Sequence, residues 1–299
     1  MAVPQLDPAD RALRMAEEAA SRADLNGAGA EVLRVRTSIH VELPQADVVA
    51  RVEGPGGQEL ALRQVVVARA LGARSAPVAR LVLPEIQPLL IGDGAVTLWR
   101  RLRSAAVPTI EAVGRAVRAI HDATAESLPK GIPPIDPFGQ VRSFLGSPSS
   151  WSGSTAIKEL QRRSDELAAR WRQETRDDPL GEVVGHGDPH VDNAIVSEAG
   201  LVLLDLEAAG VGPASWDFAP MSVGVERFGL PAEDFRRFVA GYGTEPGTWP
   251  GHSLMCSVYE LAATSWAVRC SVDSPVMAKE AAVRVAGLLE GDRSLWTLL

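Results

Sequence analysis

The chain has 299 residues, is 46% hydrophobic and 23% charged, and carries a formal net charge of −8. This length suits one large domain or two lobes with ample core. The acidic balance argues against a nucleic-acid partner, which would want a basic stripe, and no apolar run reaches the roughly 18 residues of a membrane span.

Residues 8–24 set Leu13, Ala16, Ala20 and Ala23 against Arg11, Arg14, Glu17 and Glu18, the pattern of an amphipathic helix that ends at Asn26-Gly27. Alternation from Glu31 to Leu43 and from Val48 to Val52 predicts strands, with a turn at 44–47. Gly54-Pro55-Gly56-Gly57 breaks the pattern before a helix over Glu59–Leu71, closed by Gly72. Short strands are expected at Val78–Leu83, Ile86–Leu90 and Val96–Leu98. Pro108–Ala123 reads as a helix buried along Val113, Val117 and Ile120. Residues 128–139 are too rich in Pro and Gly to be regular, and 155–176 is a charged, solvated helix. Val183–Gly185 is a short strand, and 193–197 with 201–205 form a hairpin turning at Glu198-Ala199-Gly200. The remainder, 216–299, is mainly helical with breaks at 229–231, 243–251 and 273–275. Cys256 and Cys270 lack metal-ligand spacing and read as reduced core thiols. The first ten residues lack the basic start and apolar core of a signal peptide, so a cytoplasmic location is expected.

The chemistry concentrates in His186-Gly187-Asp188-Pro189-His190-Val191-Asp192-Asn193, followed twelve residues later by Asp205 at the end of an apolar run. Phosphoryl transfer needs such a set: a carboxylate beside the acceptor hydroxyl, and an amide and a carboxylate oxygen for Mg²⁺. A metallohydrolase would use His186, Asp188, His190 and Asp192 as alternating ligands, but Pro189 breaks the strand this needs and histidines are few.

These residues resemble the aminoglycoside phosphotransferase family, small-molecule kinases with a protein-kinase-like fold. The resemblance rests on His186-Gly187-Asp188 with Asn193, on Asp205 with Glu207, on Gly212 to Ala219 (Gly-Pro-Ala-Ser-Trp-Asp-Phe-Ala), and on a helix running from Gly114 to His121. It is densest from 110 to 220. It implies an α+β, two-lobed fold: a β-rich N-terminal lobe over 1–98, a hinge at 99–103, and a helical C-terminal lobe over 104–299 that holds the catalytic loop and the metal-binding hairpin. It implies Asp188 as the catalytic base or orienting group, and Asn193 and Asp205 as Mg²⁺ ligands. His186 and Asp217 would brace the loop, and Glu207 would lie at or near the metal.

The nucleotide side departs from a protein kinase. Residues 1–129 hold no lysine, and Arg51 stands where the phosphate-binding lysine would be. Its acidic partner is open between Glu59 and the slot filled by Gln64. No Gly-x-Gly-x-x-Gly occurs; Arg36-Thr37-Ser38 would cover the phosphates, with Ser38 as a donor, and Trp99 and Arg100 would meet the purine at the hinge.

The expected activity is transfer of the γ-phosphoryl of ATP or GTP to a hydroxyl of a small molecule. An aminoglycoside, cyclic peptide or nucleoside antibiotic comes first, and the acidic charge suits a cationic acceptor. Glu260, Asp273 and Glu280 are candidates to hold ammonium groups. The alternatives are a primary-metabolite kinase of the choline, methylthioribose or homoserine type, and a non-catalytic nucleotide-binding module.

Overall fold

The computed structural model describes residues 7–247, 249–272 and 274–297. In chain order its helices and strands are α1 (Pro8–Arg22), β1 (Glu31–Val35), β2 (Ile39–Leu43), β3 (Val48–Glu53), α2 (Gln58–Gly72), β4 (Leu89–Ile91), β5 (Gly94–Arg100), α3 (Ile110–Ala125), α4 (Pro137–Gly146), α5 (Thr155–Glu174), β6 (Glu182–Gly185), β7 (Ala194–Ser197), β8 (Gly200–Leu203), β9 (Gly210–Pro213), α6 (Ala219–Arg227), α7 (Ala232–Tyr242), α8 (Pro250–Cys270) and α9 (Pro275–Leu289). The fold is the mixed α+β, kinase-like type expected, with a β-rich first part and a helical second. No helix among the described residues is long and apolar enough to cross a membrane.

The chain divides into two compact units. The first comprises Met1–Val107, Pro129–Pro133 and Ala194–Ala209. Its sheet is antiparallel, in the order β1-β2-β3-β5-β4. Helix α1 starts at the Asp7 side chain, which accepts the Ala9 N–H, with Pro8 in the first turn where its missing N–H costs nothing. Its buried stripe, Ala12, Met15, Ala16, Ala19 and Ala20, is built mostly of small residues and packs on Val41, Leu43, Ala50, Val52, Val96 and Leu98 of the sheet.

Three expectations need correction here. The predicted strand over 78–83 makes only single bridges, from Val78 to Leu203 and from Leu81 to Trp99. Residues 84–86 then form a 3-10 turn, because Pro84 cannot donate to a ladder and Leu83 is already left-handed at φ 49°. Trp99 and Arg100, expected in a hinge, are the last residues of β5, paired with Val49 and Val48. The hairpin β7–β8, expected with the C-terminal lobe, groups with the first unit: Ala79 donates to Leu203 O, Leu203 to Pro77 O, and Ala105 to Val196 O.

The second unit comprises Pro108–Leu128, Pro134–Asn193 and Gly210–Leu299. Its core joins α4, α5, α8 and α9 through Phe138, Val141, Leu160, Leu254, Leu261, Ala281 and Leu288. The Pro-rich stretch read as irregular becomes helical from Pro137, where Asp136 caps the Gly139 N–H and proline suits the first turn. A short pair unseen in the sequence, β6 with β9, aligns Gly185 with Gly210 and Glu182 with Pro213. Strand β6 feeds the His186–Asn193 loop and β9 feeds the turn carrying Asp217, so this pairing sets the two against each other.

Helices α3 and α7 cross at two glycines. A Cβ on Gly114 would strike the Phe238 carbonyl oxygen, and one on Gly241 would strike the Glu111 carbonyl oxygen. Both contacts are to backbone, which cannot swing aside. Gly114→Ala is therefore expected to destabilise the protein by about 2 kcal/mol or more through overpacking, read as a lowered midpoint in chemical denaturation; an unchanged midpoint would refute this crossing.

Candidate active site

In the second unit the Asp217 side chain is fully buried, and three donors surround it. The His186 N–H lies 2.8 Å from Oδ2, the Gly187 N–H 2.7 Å from Oδ1, and His121 Nε2 2.9 Å from Oδ2. Gly187 supplies the left-handed turn, at φ 90°, that aims its N–H at this carboxylate. Burial alone would raise Asp217, but the bond from His121, the charges of His121 and His186 and the Gly187 N–H outweigh it and hold it below the usual carboxylate range. The other ring nitrogen of His121, Nδ1, lies 2.9 Å from the Tyr242 hydroxyl. Burial, with Asp217 nearby, pushes that phenol above its usual value. From α3, Thr124 accepts the Val184 N–H at 3.0 Å and pins β6.

Asp188 follows on this fixed loop and is half-buried. Its Oδ1 accepts the Tyr259 hydroxyl from α8 at 2.7 Å, and its Oδ2 lies 3.5 Å from His190 Nε2. Asn193 Nδ2 donates to the Asp188 backbone O at 3.1 Å and reaches Oδ2 at 3.4 Å. Burial would raise Asp188; His190 and Tyr259, with His186 behind them, overcome it and hold the group below its ordinary value. His186 is wholly buried, with Nδ1 3.4 Å from the Asp188 N–H, whereas the Asp192 side chain is 81% exposed. His186, Asp188, His190 and Asp192 therefore do not converge as a metal cluster. Trp216 donates from Nε1 to Gly187 O at 3.0 Å and packs edge-on against Tyr259.

In the first unit Arg51 is 5% exposed and carries three acids. Nε donates to Glu53 at 2.7 Å, Nη1 to Asp205 at 2.7 Å, and Nη2 to Glu207. Burial would weaken the guanidinium's hold on its proton, but Asp205, Glu207 and Glu53 more than reverse that and raise its pKa. Glu207 is pushed up to about 7 by burial and by Asp205, against the pull of Arg51. Asp205 lies beyond the end of β8 with φ 60°, a left-handed conformation that Asp tolerates better than most residues. Neither sequence candidate pairs directly with Arg51. Its partner is Glu53, two residues on along the same strand, and Gln64 of α2 lies 3.4 Å from Glu53 Oε1. Helix α2 is also tied to the residue two on from Glu207 by Arg63, whose Nη2 donates to Ala209 O at 2.8 Å.

Ser38 closes the turn between β1 and β2 and is buried, with Oγ 3.4 Å from His40 Nε2. His40 faces Arg51 across the β2–β3 pair and is lowered to about 4 by burial, Arg51 and Arg34. Trp99 turns its Nε1–H to Thr97 at 2.8 Å, and the Arg100 N–H goes to Arg80 O. The acids expected to hold ammonium groups are otherwise engaged. Glu260 takes both Arg227 Nε and Nη2 at 3.1 Å, and Glu280 takes Arg284 at 2.7 Å together with the Thr297 N–H. Asp273 lies outside the described residues. Sequence reasoning missed Glu53, Tyr242 and Tyr259. Glu53 carried a signal, since residues two apart share a strand face; the tyrosines carried none.

The model of the phosphotransferase enzyme family (APH) matches residues 26–254, and the chain belongs to that family. It is thus a phosphotransferase, a small-molecule kinase acting on a hydroxyl group. No curated protein matches by sequence. Solved structures of the same fold include amicoumacin kinase hAmiN in complex with AMP-PNP, Ca²⁺ and Ami, at TM-score 0.67 and 14% identity over 98% of each chain. Choline kinase LicA from Streptococcus pneumoniae aligns at TM-score 0.62 and 14% identity, over 92% of this chain and 98% of its own. Aminoglycoside phosphotransferase APH(3'')-Id from Streptomyces rimosus, in complex with ADP and streptomycin, aligns at 0.59 and 18%, over 83% and 98%.

Asp217→Asn would place an amide where three donors need an acceptor. At pH 7 it is expected to cost roughly 2–4 kcal/mol. The folded pKa of Asp217 is depressed, so its stabilisation is full above the unfolded value of about 4 and fades as pH falls through the folded value. Thermal melts from pH 7 to pH 3 should therefore show the gap between wild type and Asp217→Asn narrowing with acid; a gap constant with pH would contradict the buried carboxylate.

Proposed function

We propose that this kinase transfers the γ-phosphoryl of ATP or GTP to a hydroxyl of a cationic small molecule, with an antibiotic as the first acceptor class. The observation that carries this reading is the environment of Asp188. Its carboxylate sits on a braced loop, held by Tyr259, His190 and Asn193, and is kept ionised. A fixed, ionised carboxylate can accept the proton of an acceptor hydroxyl or align it, and a loose transition state asks for alignment more than for basicity. The net charge of −8 favours a cationic acceptor. Antibiotic kinases and choline and aminopropanol kinases share the fold, so the fold alone does not choose between an antibiotic and a primary metabolite.

In this reading Asn193 and Asp205 hold Mg²⁺. An amide and a carboxylate are hard oxygen donors of the kind that ion takes, and the Asp205 side chain is 36% exposed although one oxygen pairs with Arg51. When bound, the ion neutralises charge on the phosphates. Arg51 supports the nucleotide phosphates in place of lysine, and Glu53 fixes its head group. Asp217, His121 and His186 hold the loop, and Glu207 steadies Arg51.

Release of ADP from Mg-ATP and Mg-GTP, measured against aminoglycosides, cyclic peptide and nucleoside antibiotics, choline, methylthioribose and homoserine, tests this. Turnover with one acceptor is expected to fall by about a thousandfold or more in Asp188→Asn. Arg51→Ala should raise the nucleotide KM by roughly tenfold or more. Turnover unchanged in Asp188→Asn would sink the assignment. Nucleotide binding without turnover for any acceptor would point instead to a binding module.

A further inference from the structure

Tyr259 reaches the Asp188 carboxylate from outside the loop. Its hydroxyl donates to Oδ1 at 2.7 Å, while Asn193 and His190 approach only Oδ2, at 3.4 and 3.5 Å. The two longer contacts come from within the loop itself. The short one comes from the middle of α8, a helix of 21 residues packed into the core of its unit. The ring is also fixed: it meets Trp216 edge-on at 6.1 Å, and the Trp216 indole in turn donates to Gly187 O. Helix, indole, loop carbonyl and carboxylate thus form one closed set.

A carboxylate on a loop rotates about its χ angles unless something outside the loop holds it. An acceptor hydroxyl must find that carboxylate in one orientation, and misplacement by about 1 Å is worth on the order of a hundredfold in rate. We propose that Tyr259 is a positioning residue for Asp188: its hydroxyl fixes the plane of the carboxylate and leaves Oδ2 to the acceptor. Nothing in the loop sequence encodes this role, which comes from a helix more than sixty residues downstream. The proposal rests on the kinase reading above.

The chain has only two tyrosines, Tyr242 and Tyr259, so each can be watched separately. With tyrosine labelled by ¹³C at Cζ, the wild-type protein should give two resonances, and Tyr259→Phe should remove one and identify it. In Asp188→Asn that resonance is expected to move, because a charged acceptor becomes a neutral one, while the Tyr242 signal stays. An unmoved Tyr259 signal overturns the proposal. Steady-state ADP release with Mg-ATP, using whichever acceptor of the panel turns over, supplies the second arm. Tyr259→Phe keeps the ring on Trp216 and loses only the hydroxyl. Its kcat should fall by about tenfold or more with the nucleotide KM within about twofold, and its melting temperature should stay near wild type. A kcat within twofold of wild type overturns the proposal, and a higher kcat would make the phenol an obstacle to the acceptor rather than a guide. Wild type without any Asp188-dependent turnover overturns the kinase reading, and the positioning role with it. The labelled-tyrosine arm needs no turnover, so it reports on the contact in either case.

Discussion

The buried carboxylate of Asp217 is the constraint on which the second unit's chemistry depends. An ionised group with almost no exposure survives only if its oxygens are filled with donors. Here the donors are two successive backbone N–H groups of the loop and one imidazole nitrogen. Satisfying the charge therefore dictates the path of His186 and Gly187, and that path delivers Asp188. His121 and Tyr242 extend the same bond chain through the unit's interior, so the loop is anchored to α3 and α7 as well as to its own strand. The two glycines at the α3–α7 crossing serve the same end by letting those helices approach at backbone distance.

The first unit solves an equivalent problem with the opposite sign. One buried guanidinium is matched to three carboxylates, of which Glu53 is as buried as Arg51 while Asp205 and Glu207 are partly open. Burial raises Glu207, and the excess of negative charge that three acids leave around one cation raises it further. Moving the acidic partner from the helix to the strand explains why Gln64 can stand in the helix. Its amide donates to the carboxylate that does the pairing, instead of supplying one.

Much of this was legible in the sequence because it is local. The β7–β8 hairpin and the alternation of β1 to β3 follow from periods of two and from short turns, and the set Asp188, Asn193 and Asp205 from its match to what phosphoryl transfer needs and to the family's loop. The placement of Asp217 near the loop followed from resemblance, not from pattern. What stayed hidden is non-local. The β6–β9 pair joins four-residue segments too short to show a period, and Tyr259 meets Asp188 across 71 positions. The failed strand at 78–83 shows apolar alternation losing to proline, since the segment next to Pro84 finds only isolated bridges. Glu260 and Glu280, expected as holders of ammonium groups, are buried partners of Arg227 and Arg284, a distinction that only packing reveals.

The central claim is that Asp188 directs a phosphoryl group from nucleotide to an organic hydroxyl. The most direct measurement follows the label from γ-³²P-ATP in the presence of Mg²⁺ and a candidate acceptor, separating organic product from inorganic phosphate. Label appearing in the acceptor with wild type and absent with Asp188→Asn is the predicted result. Label reaching only inorganic phosphate, or reaching the acceptor equally in both proteins, would contradict it.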